Sequence, residues 1–320
     1  MSIMRLSSLA LFALVFTPCA FADQPSAVTL KEEANHVAVS IDGKPFTDYW
    51  YGKRDDRSYA RPFFYPVLAS DGTPVTDDHY GQKEHPHHNS LWVGHGDVNG
   101  VDHWALAGDK TPQQRHVKFE KVEGDTIIED LDWDGKDGQP MLHERRTLRF
   151  EPLPGGSRGI DFTEEFTPIS EPVTFEDTKE AGMVAVRLTK SISDNPTITT
   201  AAGVHGEGMK AEKLAWGKAA DWCDESGQVN GKEYGVAVLD NPQNPRHPTR
   251  WHVRAYGLLA ANPFGLSYFD KGAAKHAGDF KMEPGKTVTF RYRVIVHEGD
   301  AVAAGIGAQY KQYAGNAGRE

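Results

Sequence analysis

Between Glu84 and Trp104 the chain reads EHPHHNSLWVGHGDVNGVDHW, and this stretch holds five of its 14 histidines: His85, His87, His88, His95 and His103. Imidazole takes or gives a proton, or ligates a metal, near neutral pH, so this density points to acid–base or metal chemistry. A polar loop of hydrogen-bonded histidines is the competing reading. A second group is EDTKEAG, where Glu176, Asp177, Lys179 and Glu180 crowd a turn ahead of a strand that carries Arg187. Such a turn is either solvated charge or a base beside an anion holder. A third is the run NPQNPRHPTRWHVRAYGLLAANPFG, in which closely spaced prolines stiffen a segment bearing His247, Trp251, His252 and Asn262.

These residues suggest a division of labour. Glu180 and one of His87 or His88 form the acid–base pair. Arg187 and Asn262 hold substrate hydroxyls or a carboxylate, and Trp216 or Trp251 offers a flat stacking face, with core packing as the alternative use of each indole. His85, His95, His247 and His252 complete the binding wall. A glycosidase needs a second carboxylate, for which Glu164 and Glu144 are the candidates. An ion pair with Arg146 is their structural alternative. In a different chemistry, three of the five clustered histidines ligate copper, zinc or iron. His87 and His88 would point to opposite faces of an extended strand, which counts against a compact three-histidine centre. HExxH, paired CxxC and a phosphate loop are absent.

The elements that must position these groups read as β-strands. HVAVSI alternates and ends at the Asp42-Gly43 turn; RPFFYPV, bracketed by prolines, suits an edge strand. From His116 to Pro168 four alternating runs separated by Gly-containing turns predict an antiparallel meander. The stretch from Thr197 to Asp224 reads as loop with a short strand at Leu214 to Gly217. After KTVTFRYRVIVHEGD, Asp300 caps a terminal helix whose stripe is Val302, Ile306, Tyr310 and Tyr313. The fold class is all-β, an antiparallel sandwich with one C-terminal helix.

Residues 1–22 have the pattern of a signal peptide: Arg5, the apolar run Leu9 to Phe16, and Ala20-Phe21-Ala22 before the cut. Residues 23–320 then form one domain, exported to the periplasm as a soluble protein. Cys223 is the only cysteine after the cut, so no intrachain disulfide is expected. The formal charge of −10 excludes the usual basic face for nucleic acid, and no later stretch has the ~20 apolar residues of a membrane span.

The runs RPFFYPVLASDGTPVT, HPHHNSLWVGHGDVNGVDHW, DTKEAGMVAVRL, NPRHPTRWHVRAYGLLAANPFG and FRYRVIVHEGD resemble a bacterial, mostly secreted family labelled methane oxygenase, PmoA. The spanning helices of the methane-oxidising membrane subunit of that name have no counterpart here, so its chemistry is not carried over. The resemblance implies a sandwich similar to the galactose-mutarotase-like supersandwich, in bacteria that degrade polysaccharides. Its motif positions fall on His85, His87, His88, His95, Glu180, Arg187, His247, Trp251, His252 and Asn262. The expected function is a periplasmic enzyme acting on a sugar or glycoside by His/Glu proton transfer: hydrolysis, elimination or epimerisation. A non-catalytic carbohydrate-binding protein, and a histidine-ligated metal-dependent oxygenase or lyase using a divalent metal, are the alternatives.

Overall fold

The computed structural model describes residues 27–105 and 113–316. The signal peptide expected over residues 1–22, with Cys19, lies outside the described residues. In chain order, β1 (Val28–Glu32), β2 (His36–Ile41), β3 (Lys44–Trp50), β4 (Phe63–Val67) and β5 (Leu91–His95) come first. The meander is β6 (Gln114–Glu123), β7 (Thr126–Asp134), β8 (Pro140–Pro152) and β9 (Arg158–Pro168), followed by β10 (Val173–Phe175) and β11 (Ala181–Arg187). Helix α1 (Lys190–Ser193), β12 (Thr197–Thr200), β13 (His205–Glu207) and helix α2 (Gly208–Ala215) lead to β14 (Trp222–Val229) and β15 (Lys232–Asp240). Then come β16 (Trp251–Arg254), β17 (Leu258–Ala261), α3 (Leu266–Phe269), β18 (Phe280–Met282), β19 (Val288–Glu298) and α4 (Ile306–Gly315).

Two antiparallel sheets face one another. One has eight strands in the order β1-β2-β3-β4-β5-β11-β17-β16, the other nine in the order β13-β12-β14-β15-β19-β9-β8-β7-β6. The two-residue period of a strand sends alternate side chains inward. Val37, Val39 and Ile41 of β2 therefore share one buried core with Leu148, Phe150, Ile160 and Phe162 of the meander. Phe64 bridges the sheets edge-on, its ring 6.2 Å from Phe150 and 5.7 Å from Phe162. Each such buried large apolar chain stabilises by about 1.5–3 kcal/mol. The β2–β3 hairpin closes through Asp42 and Gly43, both at positive φ (54° and 71°), the turn whose twist matches paired strands.

The inward row also carries charge. Arg146 donates to Glu144 at 2.7 Å and to the Tyr49 hydroxyl at 3.1 Å, Trp133 donates to Glu144 at 2.6 Å, and Tyr49 donates to Glu129. Burial, then Glu144, pushes the Glu164 carboxyl well above the usual range. Glu144 and Glu164 are thus sealed between the sheets and cannot flank a glycosidic bond, which corrects their candidacy as a second catalytic carboxylate.

Three local expectations are also corrected. β4 is interior, between β3 and β5; a register shift between Thr47 and Tyr49 accommodates Pro66, which has no N–H to give. The segment expected to hold a strand at Leu214 to Gly217 is helix α2 up to Ala215, which buries Ala211 and Ala215 on one side. The terminal helix begins at Ile306, because the Asp300 carboxylate accepts the N–H groups of Val302 and Ala303 in a separate turn and leaves Val302 exposed. Cys223 is buried and unpaired. Among the described residues no helix is long and apolar enough to cross a membrane.

Candidate functional site

The eight-stranded sheet has a second packed layer on its outer face, and it forms the floor of a cavity. Phe63, Trp92, Ala185, Leu258 and Ala260 project there, covered by Trp104. Gly182 of β11 makes this possible: a Cβ at that position would stand 3.2 Å from the Trp104 ring and 2.8 Å from Ala185 Cβ. A pocket of about 490 Å³ lies above it, within the ~300–1,000 Å³ of small-ligand sites. Its walls come from three separated segments.

The first wall is the histidine loop. His88 donates its backbone N–H to His85 at 2.9 Å, closing a turn over Pro86 and His87, so both rings of the adjacent pair reach the same pocket. This corrects the extended-strand expectation. Tyr256, His85, His88 and Trp92 form a column of stacked rings, with centroids 4.9, 4.7 and 5.3 Å apart in turn. His87 stands edge-on to His88 at 4.7 Å. Buried Arg61 ties the loop down, donating to the carbonyls of His87 (2.6 Å), His103 (2.9 Å) and Trp104 (2.9 Å).

The second wall is the turn Thr178 to Glu180. Asn262 donates to the Thr178 and Lys179 carbonyls at 2.9 and 3.0 Å and accepts from Phe264 and Gly265 N–H at 2.9 Å. Gly96 donates to the Glu180 carbonyl at 2.6 Å, and a Cβ on Gly96 would collide with that oxygen. The third wall is β16 and its extension, where the two-residue period aligns His252, Arg254 and Tyr256.

The electrostatics set the Glu180 carboxylate among several neutral rings, while the pocket's other carboxylate, Asp102, accepts the N–H groups of Trp104 and Ala105 at 2.8 Å each. Burial, reinforced by Arg61 and His85, lowers His87 to about 4; burial also lowers His252 to about 4, against the opposing pull of Glu180. His85 is lowered and His88 far more so, again chiefly by burial, with Arg187 adding to both. Burial works to raise Glu180, but a hydrogen bond from Lys179 and the nearby His252 and His87 outweigh it and hold its carboxyl below the usual range. At neutral pH the pocket therefore presents an ionised Glu180 among uncharged imidazoles.

Of the residues singled out from sequence, His85, His87, His88, Glu180 and His252 line this one pocket. The others stand elsewhere. Arg187 lies beneath the wall, its guanidinium 5.0 Å from the Tyr256 ring centroid. Asn262 is spent on the turn and holds no substrate. His95 faces the sandwich interior, stacked on Phe175 at 5.0 Å with Nε2 2.9 Å from the Glu176 carbonyl. His247 is drawn away by Asp240, 2.7 Å from its Nδ1. Trp251 is fully buried, bonded to the Ala220 carbonyl at 2.9 Å, because it alternates with His252 and points to the core. Trp216 packs behind His252, ring centroids 6.4 Å apart. Trp251 is therefore no stacking platform, and Trp216 is not among the residues that line the pocket. Asp102, Trp104, Arg254 and Tyr256 are among the lining residues that sequence reasoning missed. The signal for the last two was the period that starts at His252.

A three-histidine metal centre that draws on His95 or His103 is not built here, since both rings turn inward and His103 Nε2 lies 2.9 Å from the Asp134 carbonyl. A different group, Glu176, His276 and Asp279, brings one ligand atom each to within 4.8 Å of the others. His276 Nδ1 sits 3.5 Å from Glu176 and 3.3 Å from Asp279, shared between the two carboxyls.

Residues 36–311 match a family described as a family of unknown function, DUF6807. No curated protein shows a sequence match. Among solved structures, the GalM/aldose epimerase homologue from C. elegans is similar over 86% of this chain and 99% of its own, at 5% identity and a TM-score of 0.34. HI1317 is similar over 85% and 99%, at 7% identity and a TM-score of 0.26.

Proposed function

The chain belongs to DUF6807, a family of unknown function, and from the pocket alone we propose that it is a periplasmic enzyme that moves protons on a carbonyl-bearing sugar, by epimerisation or elimination rather than by hydrolysis. One observation carries this reading: an ionised Glu180 shares the cavity with neutral His87, His85 and His252. Hydrolysis with a carboxylate pair needs one carboxyl held protonated beside the bond. The carboxyls that burial raises most strongly, Glu164 and Glu225, are buried in the sandwich and not in the pocket.

The remaining inventory suits proton abstraction next to a carbonyl. Glu180 takes the proton from the carbon beside the carbonyl, and the C–H electron pair forms the enolate double bond. The N–H of a neutral imidazole, His87 or His252, donates to the enolate oxygen without losing its proton, as neutral imidazoles can in such reactions. Arg254 and Lys179 add positive charge at the rim. Return of the proton to the opposite face gives the epimer; loss of a β-substituent with the electron pair gives the unsaturated sugar. Trp104 and Tyr256 supply apolar faces for the ring.

Incubation with keto-sugars and hexuronates in D2O tests this directly. Protein-dependent loss of the proton NMR signal next to the carbonyl is expected, and Glu180→Gln abolishes it. Hydrolysis of glycosides without exchange would replace the reading with a carboxylate-pair mechanism. Sugar binding without either reaction would leave a carbohydrate-binding protein.

A further inference from the structure

On the opposite side of the sandwich, the outer face of the nine-stranded sheet and helix α4 enclose a groove of about 260 Å³. Helix α4 turns Gln309, Gln312, Tyr313 and Asn316 toward it, positions spaced i, i+3, i+4 and i+7 along one face. A face packed against a sheet is ordinarily apolar. Here three of the four are amides. The opposing sheet surface is also polar, and the turn after β15 adds Asn241 and Gln243.

Two of these groups are placed without a partner. Gln309 is 92% buried (8% exposed); its Nε2 donates to Ala304 at 3.0 Å, and its Oε1 has no donor. A buried orphan acceptor of this kind is costly unless something supplies the bond. Arg291 projects from β19 into the groove, and its guanidinium has no acid within ion-pair distance among the described residues, whereas Arg149 pairs with Asp125 and Arg293 with Asp161 and Glu151. The stem of Arg291 is held in place: Asn244 clamps its backbone through bonds of 2.6 Å to both N–H and carbonyl. Asn244 is in turn bonded at 2.7 Å to Asp240, the carboxylate that holds His247.

We propose that this groove is a second ligand site, for one small neutral polyhydroxylated molecule such as a monosaccharide. Amides donate and accept at once, as hydroxyl groups require, and a planar guanidinium spans two neighbouring oxygens. The size sets the limit: below the ~300 Å³ at which drug-sized sites begin, the groove holds a single ring and not a chain. The site is independent of Glu180 and of the reaction proposed for its pocket.

The test is ligand-observed NMR and calorimetry on the full chain with glucose, galactose and mannose, and with glucuronate as the anionic control. Hexose binding is expected to persist in Glu180→Gln and to weaken about tenfold or more in Arg291→Met. Gln312 is exposed, so Gln312→Trp fills the groove without disturbing the core and is expected to abolish this binding at an unchanged melting temperature. Hexose binding that survives Gln312→Trp, binding of glucuronate alone, or no binding by any of the four would each overturn the proposal.

Discussion

Two of the clusters of ionisable side chains among the described residues differ in a way that separates support from chemistry. Between the sheets, Tyr49, Glu129, Arg146, Glu144 and Trp133 bond to one another, and the cluster opens to no cavity. On the outer face of the eight-stranded sheet, His87, His88, Glu180 and His252 border an open space. Both regions shift proton affinities by burial. Only the second borders a cavity that a ligand can enter.

The largest effect is expected inside. Arg146→Met leaves Glu144 and Glu164 without their buried cation, and loss of one partner of such a pair costs about 3–5 kcal/mol. Urea denaturation measures it, and an unchanged midpoint would mean that the interior network is ornamental. Glu180→Gln should act the other way round. Proton exchange should fall by about 10²–10⁴-fold, the usual contribution of a positioned base. The urea midpoint should stay within about 0.5 kcal/mol of the parent, because the side chain is partly exposed and paired only at the rim.

Asn262→Ala probes the join between the two kinds of residue. Its amide holds the Thr178–Glu180 turn through buried bonds, so a stability loss of about 1–3 kcal/mol should accompany a fall in exchange rate. Asn262→Asp keeps the acceptor toward Phe264 and Gly265 but not the donor, and should fall between. If Asn262→Ala loses stability alone, the turn is not what aims Glu180.

A pH dependence tests the neutral imidazoles. His87 and His252 titrate at about 4 when folded and near ~6.5 when unfolded, so the unfolded chain binds more protons between those values. Their contribution to stability is therefore full above ~6.5 and declines as pH falls toward about 4. His87→Gln should flatten that slope in urea midpoints measured across the window. The acid limb of the exchange rate should likewise lie near about 4; a limb near ~6.5 would mean that the pocket imidazoles are not held neutral.

Much of the architecture was legible because strand alternation is a local property. The meander from β6 to β9 and the β2–β3 hairpin follow from the two-residue period and from turn residues that tolerate positive φ. The density of histidine between Glu84 and Trp104 was equally plain. Its sorting was not, since composition does not say which way a ring points. His95 and His88 look alike in sequence, but His95 sits on a strand position that alternates inward, whereas His88 follows a turn that carries it to the outer face.

Tertiary structure alone decided the rest. Trp251 and His252 are neighbours whose fates diverge by one step of the pleat, and only the packing of β16 against the core says which of them faces out. Glu144 and Glu164 became interior groups because the opposing sheet covers them, and Asn262 became a staple because Thr178 and Lys179 happen to pass its amide. Sequence by itself determined the residue types, the strand period and the turn chemistry. Which of those residues share a cavity depends on contacts between segments some 70 to 170 positions apart, and their energy is set by the folded packing rather than by any local preference.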